Sequence, residues 1–209
     1  MDPRARIVEK ANERFMQFGI RSVSMDDIAT ALGMSKKTLY QHFADKDELV
    51  AAVVDTHIIE MQADCDRCRS EARDAVHEIF NTMKVLHREF SNMNPVVLSD
   101  LEKFHIHAWQ RFREHKEGFL LGVIRANLVW GMREGLYRPD LNVDLLSRYR
   151  LESMMLPFNI TVFPPGRHSL ADTLNLLLEL FIYGVASPKG YQLIQAYHDQ
   201  QKNPTHVTS

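Results

Sequence analysis

Apolar residues recur at three- and four-residue intervals through almost the whole chain, and no stretch alternates apolar with polar positions over the length of a strand. The pattern predicts an all-α protein. The first helix opens with Asp2 as N-cap and Pro3 at the first helical position, carries Ile7, Val8, Ala11, Phe15 and Phe18 on one face, and stops at Gly19. Ser24-Met25-Asp26-Asp27 has the form of a capping box for a second helix. Ser35 then caps KKTLYQHF, leaving only Gly33 and Met34 to make the turn between them. A helix-turn-helix results. Asp45 caps a fourth helix that starts near Lys46 and keeps its apolar rhythm at Leu49, Val50, Val53, His57, Ile58 and Met61, long enough to bridge two domains.

Further along, residues 72–90 read as an amphipathic helix, Asn94-Pro95 starts another, and a long one spans about 107–134 before Gly135. Asp140 or Asn142 begins a helix through Met155, which Pro157 and the turn Pro164-Pro165-Gly166 terminate. Ser169 caps the next, with a broad apolar face at Leu170, Leu174, Leu177, Leu178, Phe181, Ile182 and Val185. After about Tyr197 the chain is polar and reads as a loose tail.

Composition narrows the class. An apolar content of 45% in 209 residues supports a substantial core. The longest apolar run, 119–124, is far short of a membrane span, and the N-terminus has no signal-like apolar stretch, so a cytoplasmic protein is expected. Net charge is −2, and residues 1–50 hold eight Lys/Arg against eight Asp/Glu, so any nucleic-acid surface must come from local placement of charge. Cys65 and Cys68 form a single CxxC with no second ligand pair, and His105 and His107 point to different sides of a helix; neither predicts a metal site. No HExxH, Walker, GxSxG or Rossmann signature occurs, so neither catalytic residues nor a cofactor are expected.

The second helix of the helix-turn-helix carries the chemistry. On a helical wheel Leu39 and Phe43 fall on an inward face, while Lys37, Thr38 and Gln41, flanked by Lys36, Tyr40 and His42, form an opposite face without an acid. Lysine can pair with phosphate or guanine, glutamine can read adenine, threonine can meet a thymine methyl, and tyrosine can donate to phosphate. The same residues would also suit an ordinary solvated surface.

Their context resembles a known family. The stretch SMDDIATALGMSKKTLYQHFADK (24–46) is similar to the DNA-binding domain of the TetR (tetracycline repressor) family. It matches at Phe15 and Gly19, Ser24, Ala29, Gly33-Met34, Leu39-Tyr40-Gln41-His42-Phe43 and Lys46. The resemblance, which covers about residues 4–50, implies that Ser24, Tyr40 and Lys46 grip phosphates, that Lys36, Lys37, Thr38 and Gln41 approach bases, and that His42 is an auxiliary contact. It implies a helix-turn-helix domain over 1–48 and a helical ligand-sensing and dimerisation domain over 49–200. The expected protein is a homodimeric regulator that binds a double-stranded DNA operator and is released by a small-molecule effector.

The second domain names no ligand. Phe80, Met83, Phe104, Trp109, Phe112 and Leu128, with Met154 and Phe158, could line an apolar cavity. Arg125, on a helix apolar around most of its circumference, could face an anionic effector or instead reach solvent or a nearby Glu. Leu174, Leu177, Leu178, Phe181 and Ile182 offer more apolar surface than one neighbour would cover and are expected at the dimer interface. Control by a protein partner or by oxidation of Cys65 and Cys68, and an α-helical enzyme with a vestigial motif, are the alternatives.

Overall fold

The computed structural model describes residues 2–164 and 166–202. The first four helices are α1 (Pro3–Phe18), α2 (Met25–Ala31), α3 (Lys36–His42) and α4 (Lys46–Ser70). Their starts are set by local chemistry. Ser24 Oγ accepts from the amide of Asp27 while Asp27 accepts from the amide of Ser24, completing the capping box, and the side chains of Ser35 and Asp45 cap α3 and α4. Gly19 ends α1 at φ +85°, and a Cβ there would stand 2.8 Å from Val96 Cγ2, so both the turn and the close approach of a later helix require glycine. Phe18, expected on the buried face, is 45% exposed beneath the Arg14 guanidinium, because the helix has already turned past the core at its last residue.

Then follow α5 (Ala75–Phe90), α6 (Val96–Phe104), α7 (Ile106–His115), α8 (Leu121–Arg133), α9 (Val143–Ser153), α10 (Leu170–Val185) and α11 (Pro188–Lys202). Three boundaries differ from the expectations. Asp74 caps α5, so it starts three residues after 72. The helix expected over 107–134 runs as α7 and α8 joined through a π-helical segment, Lys116–Leu120, where one extra residue is accommodated without breaking the rod. The tail after Tyr197 continues α11 to Lys202, with Tyr197 stacked on His77 and its hydroxyl donating to Asp74 Oδ2 at 2.7 Å; residues 203–209 lie outside the described part. The expected breaker Pro165 also lies outside it.

Among the described residues, three apolar clusters form the interior. One gathers Ile7, Phe15, Ile28, Leu39, Phe43 and Leu49 from the first four helices and extends without interruption to Val97 and Leu101 of α6 and Ala108 of α7. A second is built around Phe80, Leu128, Tyr137 and Ile182, a third around Leu86, Phe158, Leu174 and Leu178. Helix α4 touches the first cluster with Leu49, Val50 and Val53. Its 25 residues, about 38 Å at 1.5 Å per residue, then run on to Cys68 beside α5.

Candidate nucleic-acid interface and internal cavity

Leu39 and Phe43 are fully buried and anchor α3, which leaves Lys36, Lys37, Tyr40 and Gln41 exposed on its outer side and Thr38 and His42 half-buried beside them. This is the acid-free face expected from the sequence, with two qualifications. Lys36 lies 2.9 Å from Asp26, whose hydrogen bond raises its pKa, so Lys37 is the cation of the pair that projects without a counter-charge among the described residues. Lys46 is half-buried: its amine donates to the carbonyl of Ile20 at 2.6 Å and lies 5.8 Å from the centre of the Phe15 ring, and burial lowers its pKa. Its evident role is to tie the start of α4 to the turn after α1. Ser24 is committed to the capping box, its hydroxyl 2.6 Å from Asp27 Oδ2.

A cavity of about 400 Å³ lies where the three clusters meet. Its walls come from α1 (Phe15, Met16), α4 (Val53, His57, Met61, Cys65), α5 (Ile79, Thr82, Leu86), α6 (Val97, Leu101), α7 (Phe112), α8 (Val123, Ile124), α9 and its C-cap (Arg150, Met154) and α10 (Leu174, Leu178, Phe181). Of the residues expected to line it, Phe112, Met154 and Phe158 do. Phe80 and Leu128 are buried in the second cluster, against which Met83 packs; Trp109 packs on the first cluster and stacks on Phe112; Phe104 is half exposed under Arg21. These aromatics point along the wrong side of their helices, a direction that hydrophobicity alone does not fix.

Arg125 is a clear correction. It is exposed, ion-paired with Asp144, and absent from the cavity wall. The buried guanidinium is that of Arg150, 5% exposed, with burial pushing its pKa down to about 10, so that it keeps its proton at neutral pH. The pattern of α9 could have found it: Arg150 continues the stripe Val143, Leu146, Ser147, Leu151 and Met154 at helical spacing. Burial also pushes the Cys65 thiol up to about 12 and raises that of Cys68, so both are un-ionised at neutral pH and poor nucleophiles.

The profile of the bacterial regulatory proteins, tetR family, matches residues 7–53, the four-helix segment that carries α3. That segment, residues 7–53, has the tetR-family pattern. It is 37% identical over 89 residues to the uncharacterised HTH-type transcriptional regulator YvaF of Bacillus subtilis, an alignment covering 42% of this chain and 47% of that protein. It is 28% identical over 158 residues to the HTH-type transcriptional repressor KstR2 of Mycobacterium tuberculosis, covering 70% and 74%. The crystal structure of the regulator FadR of Bacillus subtilis in complex with stearoyl-CoA superposes with a TM-score of 0.65 at 19% identity, covering 87% of this chain and 98% of that one, and so shares its fold.

The helices of the matched segment are locked to the rest through α6 and its flanks. The amide of Arg21 donates to Asp100 Oδ2 at 2.9 Å, the amide of Asn94 to the Met16 carbonyl at 2.7 Å, and His105 Nδ1 lies 2.6 Å from Asp47 Oδ1. The residues expected to meet a second subunit fall elsewhere. Leu174, Leu178, Phe181 and Ile182 are buried within their own chain and Leu177 is half-buried, because α10 packs that face on α5. The apolar residues left outside on α10 are Leu176 and Leu180, at 56% and 60% exposure.

Proposed function

We propose that the protein is a homodimeric repressor that grips its operator with α3 and lets go when an apolar small molecule enters the cavity. The observation that carries this reading is the composition of the cavity wall: Phe15 and Met16 belong to the helix-turn-helix unit, Leu174 and Phe181 to the far end of the fold. A ligand there touches α1, α4 and α6 at once. If it prefers one setting of the DNA-binding helices, it must shift their spacing by linkage. Lys37 and Gln41 read bases, with Lys36 and Thr38 beside them; Tyr40 and Ser24 meet phosphates, as does Lys46 with the protons that Ile20 does not use. The working domain division is 1–48 and 49–200, and the site of action is the cytoplasm, where the operator is.

The TetR-family helix-turn-helix, the KstR2 name as a repressor and the stearoyl-CoA held by FadR support this reading. No described helix is long and apolar enough to cross a membrane. The second subunit meets the exposed side of α10 at Leu176 and Leu180, which would bring two α3 helices to half-sites about 34–36 Å apart. Selection of duplexes from a random pool, followed by footprinting, tests the core of the proposal. The expected product is an inverted repeat with that spacing, bound by the parent and lost in a Leu176→Glu, Leu180→Glu variant that sediments as a monomer. Recovery of no preferred sequence, or tight binding by a monomeric parent, would overturn it.

A further inference from the structure

Buried charge in the cavity wall is matched everywhere except at one place. Asp64 is held by Arg67 and by Arg88, whose Nη2 is 2.7 Å away. Glu78 accepts from Arg69 Nη1 at 2.9 Å and from Asn127 Nδ2 at 2.8 Å. Arg150 has no carboxylate within 4.0 Å among the described residues. Its one hydrogen bond to another side chain is from Nη1 to Ser153 Oγ at 3.4 Å, and the nearest ring, that of Phe181, is 5.9 Å from its Cζ. A guanidinium in low dielectric without a counter-ion is held at a steep desolvation penalty, and it offers a fork of donors suited to a carboxylate or phosphate.

We propose that Arg150 is the anchor for an anionic headgroup, and that the effector is an amphiphile whose acyl or alkyl body fills the apolar cavity between α5 and α10. The inference rests on the reading of the cavity as the effector site. The wall does hold exposed carboxylates, Glu13, Glu60 and Glu89, which would favour a cation. Glu13 is paired with Lys10 and Glu89 with Arg88, and all three face water, where solvent and salt screen them. The buried, unscreened charge decides the sign. The anion can be the carboxylate of a free acid or the phosphates of an acyl thioester.

Calorimetric titration of the full-length protein with decanoate, decanol, decylammonium and decanoyl-CoA separates these cases. Decanoate is expected to bind at least about tenfold more tightly than decanol, the scale of a charge-assisted hydrogen bond. Arg150→Met should erase that preference while still binding decanol, with circular dichroism reporting an intact fold, and Arg150→Lys should restore part of it. Decanoyl-CoA binding more tightly than decanoate, with the excess lost in Arg150→Met, would assign the anion to the phosphates. Equal binding of acid and alcohol, or an acid preference that survives Arg150→Met, would overturn the inference and leave the cavity as an effector site. Preference for decylammonium would overturn it in favour of the acidic rim. Failure of every decyl compound to bind would remove the cavity reading as well.

Discussion

The helix-turn-helix and the cavity are built on opposite principles. Around α2 and α3 the capping contacts span three residues, the turn is made by adjacent residues, and Leu39, Phe43 and Ile28 are sealed at 0% exposure. Around the cavity, side chains from eight of the described helices face a space they do not fill, and a charge at Arg150 is buried without its counter-ion. The first region is specified for rigidity, as the proposed base-reading surface would require. The second gives up packing and solvation, which a ligand can restore. Tight packing and open space are thus divided between the two ends of α4.

Truncation should expose that division most sharply. Phe43→Ala empties a sealed site and is expected to lower stability by about 3–5 kcal/mol, abolishing operator binding with it. Met154→Ala removes a half-buried side chain that already borders a void, so its loss should fall below the ~2 kcal/mol at which fully buried methionines begin. Urea denaturation reads both. Equal losses would mean that the cavity closes in solution and that the contrast is false.

The two arginines give the next effect. Arg150→Met replaces an unpaired buried charge by an apolar chain of similar reach and should leave the ligand-free protein as stable or more so, by up to about 1–4 kcal/mol. Arg125→Leu breaks an exposed pair with Asp144 and should change stability by no more than about 1 kcal/mol. A strongly destabilising Arg150→Met would show that the guanidinium is satisfied in solution, and the argument for an anion would lose its basis.

These two regions also differ in how far the sequence discloses them. Ser24, Ser35 and Asp45 announce their helices because a cap is a contact between residues three apart, and the wheel that buries Leu39 and Phe43 needs no other part of the chain. The cavity depends on which side of α8, α9 and α10 turns inward, and that is decided by partners up to a hundred residues away. Arg125 sits on the apolar α8 and Arg150 on the more polar α9, yet packing of the two helices brings Asp144 to the first and leaves the second inside. For the same reason the broad face of α10 was legible as apolar but not as inward. One face of Leu174, Leu178 and Ile182 is consumed by α5, and the remainder at Leu176 and Leu180 is what a partner can use.

On the DNA side the expected effects are smaller and more selective. Lys37→Ala or Gln41→Ala should relax discrimination at particular base pairs by about 1–3 kcal/mol while leaving the melting temperature unchanged, since both side chains are exposed. Lys46→Ala should behave differently. It should weaken all duplexes alike, flatten the salt dependence by about one unit, and also lower the melting temperature, because the amine holds the Ile20 carbonyl. Fluorescence anisotropy over a salt series, paired with thermal melts, separates the two behaviours. Equal losses by all three variants on specific and random DNA would sink the assignment of Lys37 and Gln41 as base readers.

The smallest effect is a pH slope that originates chiefly around the cavity. His115, at the junction of α7 with the π-helical segment, is buried and stacked on Phe119 at 5.2 Å. Its Nδ1 is 3.4 Å from Gln62 Nε2, and its Nε2 has no partner among the described residues. Burial alone lowers its pKa; His57, beside Asn12 on the cavity wall, and His77 are lowered chiefly by burial too. Below the ordinary histidine value near 6.5 the unfolded chain binds protons that the folded one refuses, so ν is larger in the unfolded state and stability rises with pH. Their contribution is therefore complete above about pH 6.5 and is lost as pH falls through the lower folded values. The melting temperature should decline from pH 7.5 to 5.5, and His115→Phe, which fills the stacked site with a ring that does not titrate, should make the decline shallower without removing it, since His57 and His77 remain. A slope unchanged by His115→Phe would show that the ring reaches water at the π-helical junction, and that this part of the fold is more open than its burial implies.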